Sequence, residues 1–200
     1  MADFNLAFNK TMSHEGGYSN DPDDAGGETY RGISHRYHPA WEGWEVIESI
    51  IRKHASDWLS VLNNFTSPEH ELDRLTRSFY KRMYWDINRL DWMPQPVADE
   101  MFDTGVNMGV LRAAIFLQRA LNYLNRNGRL FTDLVDDGDV GPLTMMALST
   151  LLAAAPSDVW VLLKIMNVLQ GMHYLDYMDR SPTQEKFARG WFQRVDIGKV

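Results

Sequence analysis

HEGGYSNDPDDAGGETYRGI, running from His14 to Ile33, holds Glu15, four further acids and four glycines ahead of Arg31, with almost nothing that could fill a core. Polar, glycine-rich chain of this kind belongs on a surface. Upstream, Phe4, Ala7, Phe8 and Met12 recur at helical spacing. They predict a helix from Asp3 to His14, with Asp3 as cap, Gly16–Gly17 as stop and Glu15 in the last turn. Inside the stretch, GETYRGIS predicts a short hairpin near residues 27–34, because Thr29, Tyr30 and Ile33 favour strands.

Downstream the pattern turns helical. Trp44, Ile47, Ile50 and Ile51 make one apolar face, and Leu72, Leu75, Phe79 and Met83 make another. Ser67, Pro68 and the acids Glu69, Glu71 and Asp73 mark the start of the second helix. Pro94 and Pro96 break the chain. Further helices are expected over Val97–Met108 and Leu111–Leu124, in LTMMALSTLLAAA, in a long apolar run from about Val159 to Met178, and in PTQEKFARGWFQRV. The long run is apolar on most sides and reads as a central core helix. The expected fold is therefore mainly α, with at most a small hairpin. An N-terminal lobe, 1–93, and a helical lobe, 94–200, are expected to pack as one compact unit.

Composition narrows the function. A net charge of −7 and a pI near 5.3 argue against general nucleic-acid binding. Arg74, Arg77, Lys81 and Arg82 cluster, but with Glu69, Glu71 and Asp73 beside them they read as a solvated helix face. With no cysteine there is no disulfide, thiolate metal site or Cys nucleophile. No secretory signal and no membrane-spanning run is visible. No metal or other cofactor is expected, since His35 and His38 lack an obvious third ligand.

Glu15 is placed where a helix gives way to a loop, so its carboxyl can be half buried and still face a cleft. Burial raises a carboxyl pKa, as a general acid near neutral pH requires. Asp24 follows after a loop, and two carboxyls so separated can flank a glycosidic bond. If Asp24 activates water, the anomeric centre inverts. Asp21 and Asp23 are better read as turn residues that bond their own backbone.

EGGYSNDPDDAGGETYRGIS closely resembles the signature of the N-acetylmuramidases of glycoside hydrolase family 108, through Glu15, Asn20, Asp21, Pro22, Asp24, Gly26, Gly27, Thr29, Gly32 and Ile33. The resemblance continues in FYKRMYWD, LDWMP, FDTGVNMG and FQRV. It implies a lysozyme-like fold, with Glu15 as the catalytic acid. It also implies cleavage of the β-1,4 bond between N-acetylmuramic acid and N-acetylglucosamine, in concert with a holin or other export partner, as in endolysins and proteins of the secretion-activator type. The order Glu15, Asp24, Thr29 is similar to that of phage lysozymes, which puts Thr29 in the site. LQRALN and DDGDVGPLTMMAL resemble peptidoglycan-binding modules through Gln118, Asn122, Asp137, Gly138, Gly141 and Thr144. The glycines there equally suit a turn ahead of a helix begun by Pro142.

The remaining candidates carry two readings each. Tyr18, Asn20 and Tyr30 line the stretch and are expected to meet substrate. Arg31 either contacts a peptide carboxylate or is a solvated hairpin charge. Asp103 and Asn107, one helical turn apart, either reach the cleft or pack helices together. One of Trp41 and Trp44 is expected to stack on a sugar. The peptidoglycan strand is the expected partner, acted on outside the cytoplasm in which the chain is made. The alternative is a non-catalytic murein-binding or secretion-accessory protein on the same fold.

Overall fold

The computed structural model of the chain describes residues 1–12, 17–20, 27–54, 56–63 and 70–196. Among these the fold is mainly α and lysozyme-like, with one three-stranded antiparallel sheet. It divides into an N-terminal unit, Phe4–Met83, and a C-terminal unit of Met1–Asp3 with Tyr84–Val200.

In the N-terminal unit, α1 (Phe4–Met12) buries Phe4, Ala7, Phe8 and Met12, the predicted stripe. The sheet is larger than the hairpin expected. Strand β1 (Tyr18–Asn20) pairs with β2 (Glu28–Tyr30), setting Tyr18 opposite Tyr30 and Asn20 opposite Glu28. Strand β2 then pairs with β3 (Ile33–Ser34). The β2–β3 turn is Arg31–Gly32, with φ of 46° and 80°. Positive φ at both residues is what a two-residue type I′ hairpin turn needs. Arg31 meets that need without the freedom of glycine, so side-chain contacts must hold it there.

Helix α2 (Gly43–His54) buries Trp44, Ile47 and Ile50 and packs on α3 (Trp58–Asn63) and α4 (Glu71–Tyr80). Helix α4 buries Leu72, Leu75 and Phe79 and runs into a single π-helical turn, Lys81–Trp85, in which Met83 is only half-buried. The expected start of this helix at Ser67, Pro68 and Glu69 lies outside the described residues.

In the C-terminal unit, α5 (Gln95–Met108) begins two residues earlier than Val97, with Pro96 in its first turn. The first-turn N–H groups have no helical acceptor, so proline costs little there. Helices α6 (Val110–Leu124) and α8 (Asp158–Arg180) pack with α5 around Phe102, Leu117, Leu121, Leu162 and Met166. Helix α7 (Pro142–Ala154) packs on α6 and α8. A 3₁₀ segment, Pro182–Phe187, leads into α9 (Ala188–Phe192).

The expectation that α8 is covered on most sides is corrected. Leu162, Met166, Leu169, Gln170 and Tyr174 make one buried face, while Trp160, Val168, Met172 and Leu175 stay exposed. The apolar run is longer than the single face the unit can cover. No helix among the described residues is long and apolar enough to cross a membrane.

Candidate active site

Glu15 and Asp24, with Asp21 and Asp23, lie outside the described residues. What the structure describes is the frame on either side of them: the end of α1, the sheet, and the side chains that fix both.

A buried ion cluster ties these parts together. Asp73, fully buried on α4, accepts from Arg31 Nη1 at 3.1 Å and from Arg77 Nε at 2.7 Å. Arg77 also donates to Asn5 and Asn9 of α1 at 3.2 and 3.1 Å, and its guanidinium lies 4.5 Å from the Phe8 ring centroid. The Tyr80 hydroxyl donates to the Arg31 carbonyl at 2.6 Å. The hairpin turn is thereby fastened to α1 and α4 at once. Two expectations change. Arg31 is not a solvated charge, because its guanidinium is mostly buried against Asp73. Nor are Asp73 and Arg77 part of a solvated helix face; an acid and a base four apart on a helix can turn inward when each neutralises the other.

The glycine after Gly16 has a packing role. A Cβ on Gly17 would overlap the Asn63 side chain, whose Oδ1 accepts the Tyr18 N–H at 3.2 Å. The Gly17 carbonyl accepts the Arg31 N–H at 3.0 Å.

The strand register separates the other candidates. Side chains alternate along a strand, and paired residues share a face. Tyr18, Asn20, Glu28 and Tyr30 therefore lie on one face, and Thr29 lies on the other with Ser19 and Ser34. Tyr30 belongs to the core rather than to a substrate groove. It is 1% exposed, stacks on Trp41 at 6.2 Å and donates to the Leu62 carbonyl at 3.4 Å. Burial pushes its phenol pKa up. Trp41 and Trp44, one of which was expected to stack on a sugar, are both buried and meet edge-on at 5.2 Å.

Tyr18 is partly open and heads a polar row that went unforeseen. Its hydroxyl donates to Glu28 Oε1 at 2.9 Å, and His35 Nδ1 lies 2.8 Å from Glu28 Oε2. The His35 ring stacks on Trp44 at 4.5 Å, and Trp58 meets Tyr18 edge-on at 5.2 Å. Burial first, then the Glu28 hydrogen bond and charge, push the Tyr18 phenol up to about 12. It remains a donor across the neutral range. Phenol, carboxylate and imidazole thus form a hydrogen-bonded chain beside exposed Asn20. Glu28 was missed because it reads as one more acid in an acidic loop. The alternation that puts it level with Asn20 becomes visible only once β1 is recognised.

In the C-terminal unit, Asp103 and Asn107 have packing partners. Asp103 accepts from Arg194 at 2.7 Å, and Asn107 Oδ1 accepts from the Tyr174 hydroxyl at 2.6 Å. The loop from Asn125 to Gly141, which carries DDGDVGP, is clamped by the amides of Gln118 and Asn122 on α6 and of Asn125 just after it. Gln118 donates to Asp137 Oδ1 at 2.8 Å and to the Asp139 carbonyl at 3.0 Å, and accepts the Gly138 N–H at 2.8 Å. Asn122 bonds both the N–H and the carbonyl of Leu134 at 2.8 Å. Asn125 donates to Asp133 and accepts the Gly128 N–H. The motif residues Gln118 and Asn122, with Asn125, thus build the loop. No group of three metal-ligating side chains occurs among the described residues.

The model of the family described as Glycosyl hydrolase 108 matches residues 8–109. That described as Predicted Peptidoglycan domain matches residues 112–196. No curated protein matches the sequence significantly. Among solved structures, SagA of Brucella abortus is similar in fold, with a TM-score of 0.61 and 24% identity over 96% of this chain and 88% of that one.

Proposed function

This chain belongs to the glycosyl hydrolase 108 family, and on that premise we propose that it is an N-acetylmuramidase of peptidoglycan. Family membership makes it a glycoside hydrolase, and the second matched region ties it to peptidoglycan. The proposed reaction cleaves the β-1,4 bond between N-acetylmuramic acid and N-acetylglucosamine. Glu15 protonates the leaving oxygen, Asp24 places the attacking water, and Thr29 supports that water. The observation that carries the reading is the unbroken signature from Glu15 to Ile33, within the region matched to a hydrolase family. The ion cluster around Asp73 supports it. A general acid gains most when its surroundings are fixed in advance, and the cluster fixes the hairpin against the helix that leads to Glu15.

The protein would meet its substrate in the cell wall, after release from the cytoplasm through a holin or another export partner. The test is the chemistry of the new chain end. Purified murein is digested, the products are reduced with borohydride, and the reduced sugars are identified. Muramitol is the expected product. Reduced glucosamine in its place would move the cut to the other glycosidic bond. Binding that leaves the glycan strands uncut would make the protein a murein-binding accessory.

A further inference from the structure

A groove of about 490 Å³ lies among α5, α6, α8 and α9 in the C-terminal unit, lined in part by Arg112, His173, Tyr177, Arg180 and Trp191. Its two guanidiniums have no carboxylate partner among the described residues, although the chain carries a net charge of −7. Arg112 Nη1 donates to His173 Nε2 at 2.7 Å, and Arg180 Nε donates to the carbonyl of Asp176 on its own helix. Each guanidinium has five N–H donors, so both keep donors to offer. His173 accepts through Nε2 and is therefore neutral there. Burial, then the charges of Arg112 and Arg180, hold its pKa below the usual value, against the opposing charge of Asp176.

The walls are aromatic. Tyr177 lies 5.9 Å from Trp191, and Trp191 stacks on Tyr174 at 5.1 Å. Paired arginines beside aromatic faces suit a ligand with a carboxylate and an adjoining apolar part, because the planar fork meets both oxygens of a carboxylate. Murein offers that chemistry in its stem peptides, whose amino acids present free carboxylates next to methyl and methylene groups. We propose that this groove binds a stem-peptide carboxylate of peptidoglycan through Arg112 and Arg180. The inference rests on murein being the substrate. It adds peptide recognition, separate from the sugar chemistry at Glu15.

The test is calorimetric titration of the full chain with three soluble probes: a murein disaccharide–tetrapeptide, the same fragment with its carboxylates amidated, and the peptide-free disaccharide. The native fragment should bind at least about tenfold more tightly than either other probe, the scale of one charge-assisted hydrogen bond. Arg112→Gln and Arg180→Gln should each remove a similar factor, whereas Arg129→Gln, an exposed arginine of the α6–α7 loop, should remove none. Equal binding of native and amidated fragments would overturn the proposal. So would full affinity in both glutamine variants. The probe comparison uses the unaltered protein and decides the matter even if a variant does not fold. Reducing-end release from peptide-free glycan, run in parallel, keeps the two readings apart. Cutting without carboxylate preference removes the groove alone. Carboxylate-dependent binding without cutting removes the muramidase alone.

Discussion

Two polar stretches of this chain are held in opposite ways. The hairpin turn at Arg31–Gly32 is fastened by charge, through a fully buried Asp73 between two guanidiniums. The loop from Asn125 to Gly141 is fastened by neutral amides of Gln118, Asn122 and Asn125, which meet backbone and side-chain groups of the loop. An amide clamp adds up small increments, and losing one contact leaves the others standing. A buried ion cluster has less gradation, because removing its centre leaves two mostly buried guanidiniums without their carboxylate. The ionic fastening holds the Arg31–Gly32 turn, which lies within the signature that runs from Glu15 to Ile33. The graded one holds the loop that carries DDGDVGP.

The comparison predicts unequal costs. Asp73→Ala should destabilise the N-terminal unit by roughly 3–5 kcal/mol, the range for breaking a buried ion pair from one side. Denaturant unfolding measures it. A loss below about 1 kcal/mol, typical of exposed pairs, would mean that both arginines reach water and that the cluster is not the fastening. A smaller effect is expected from Gln118→Met, which keeps the shape of the side chain and removes three hydrogen bonds. At about 1 kcal/mol each, the cost is roughly 2–3 kcal/mol. Faster amide hydrogen exchange at Gly138 should accompany it. Unchanged exchange there would show that the loop holds itself without the clamp.

Much of this was legible beforehand because it is periodic or local. The stripes of α1, α2 and α4, the ends of α6 and the Pro142 start of α7 all follow from spacing and capping. What stayed hidden depends on partners distant in the chain. Asp73 near a helix start reads as a favourable dipole contact, and nothing local shows that Arg31, forty-two positions earlier, will be folded onto it. Strand β1 is three residues, YSN, without an apolar alternation to betray it. Trp41 has the chemistry of a sugar platform, and its stacking on Tyr30, eleven positions earlier, is what places it in the core. The apolar run of α8 shows how much a helix could bury, and its neighbours decide how much it does.

The most direct test of the central claim is the lysis rate of Glu15→Gln. Glutamine keeps the shape and hydrogen bonding of glutamate but cannot deliver a proton. The account predicts a protein with unaltered circular dichroism that still sediments with insoluble murein. It also predicts that lysis of outer-membrane-permeabilised Gram-negative cells falls by about 10²–10⁴-fold, the usual worth of general acid catalysis. A folded Glu15→Gln protein that clears the suspension at close to the original rate would contradict it.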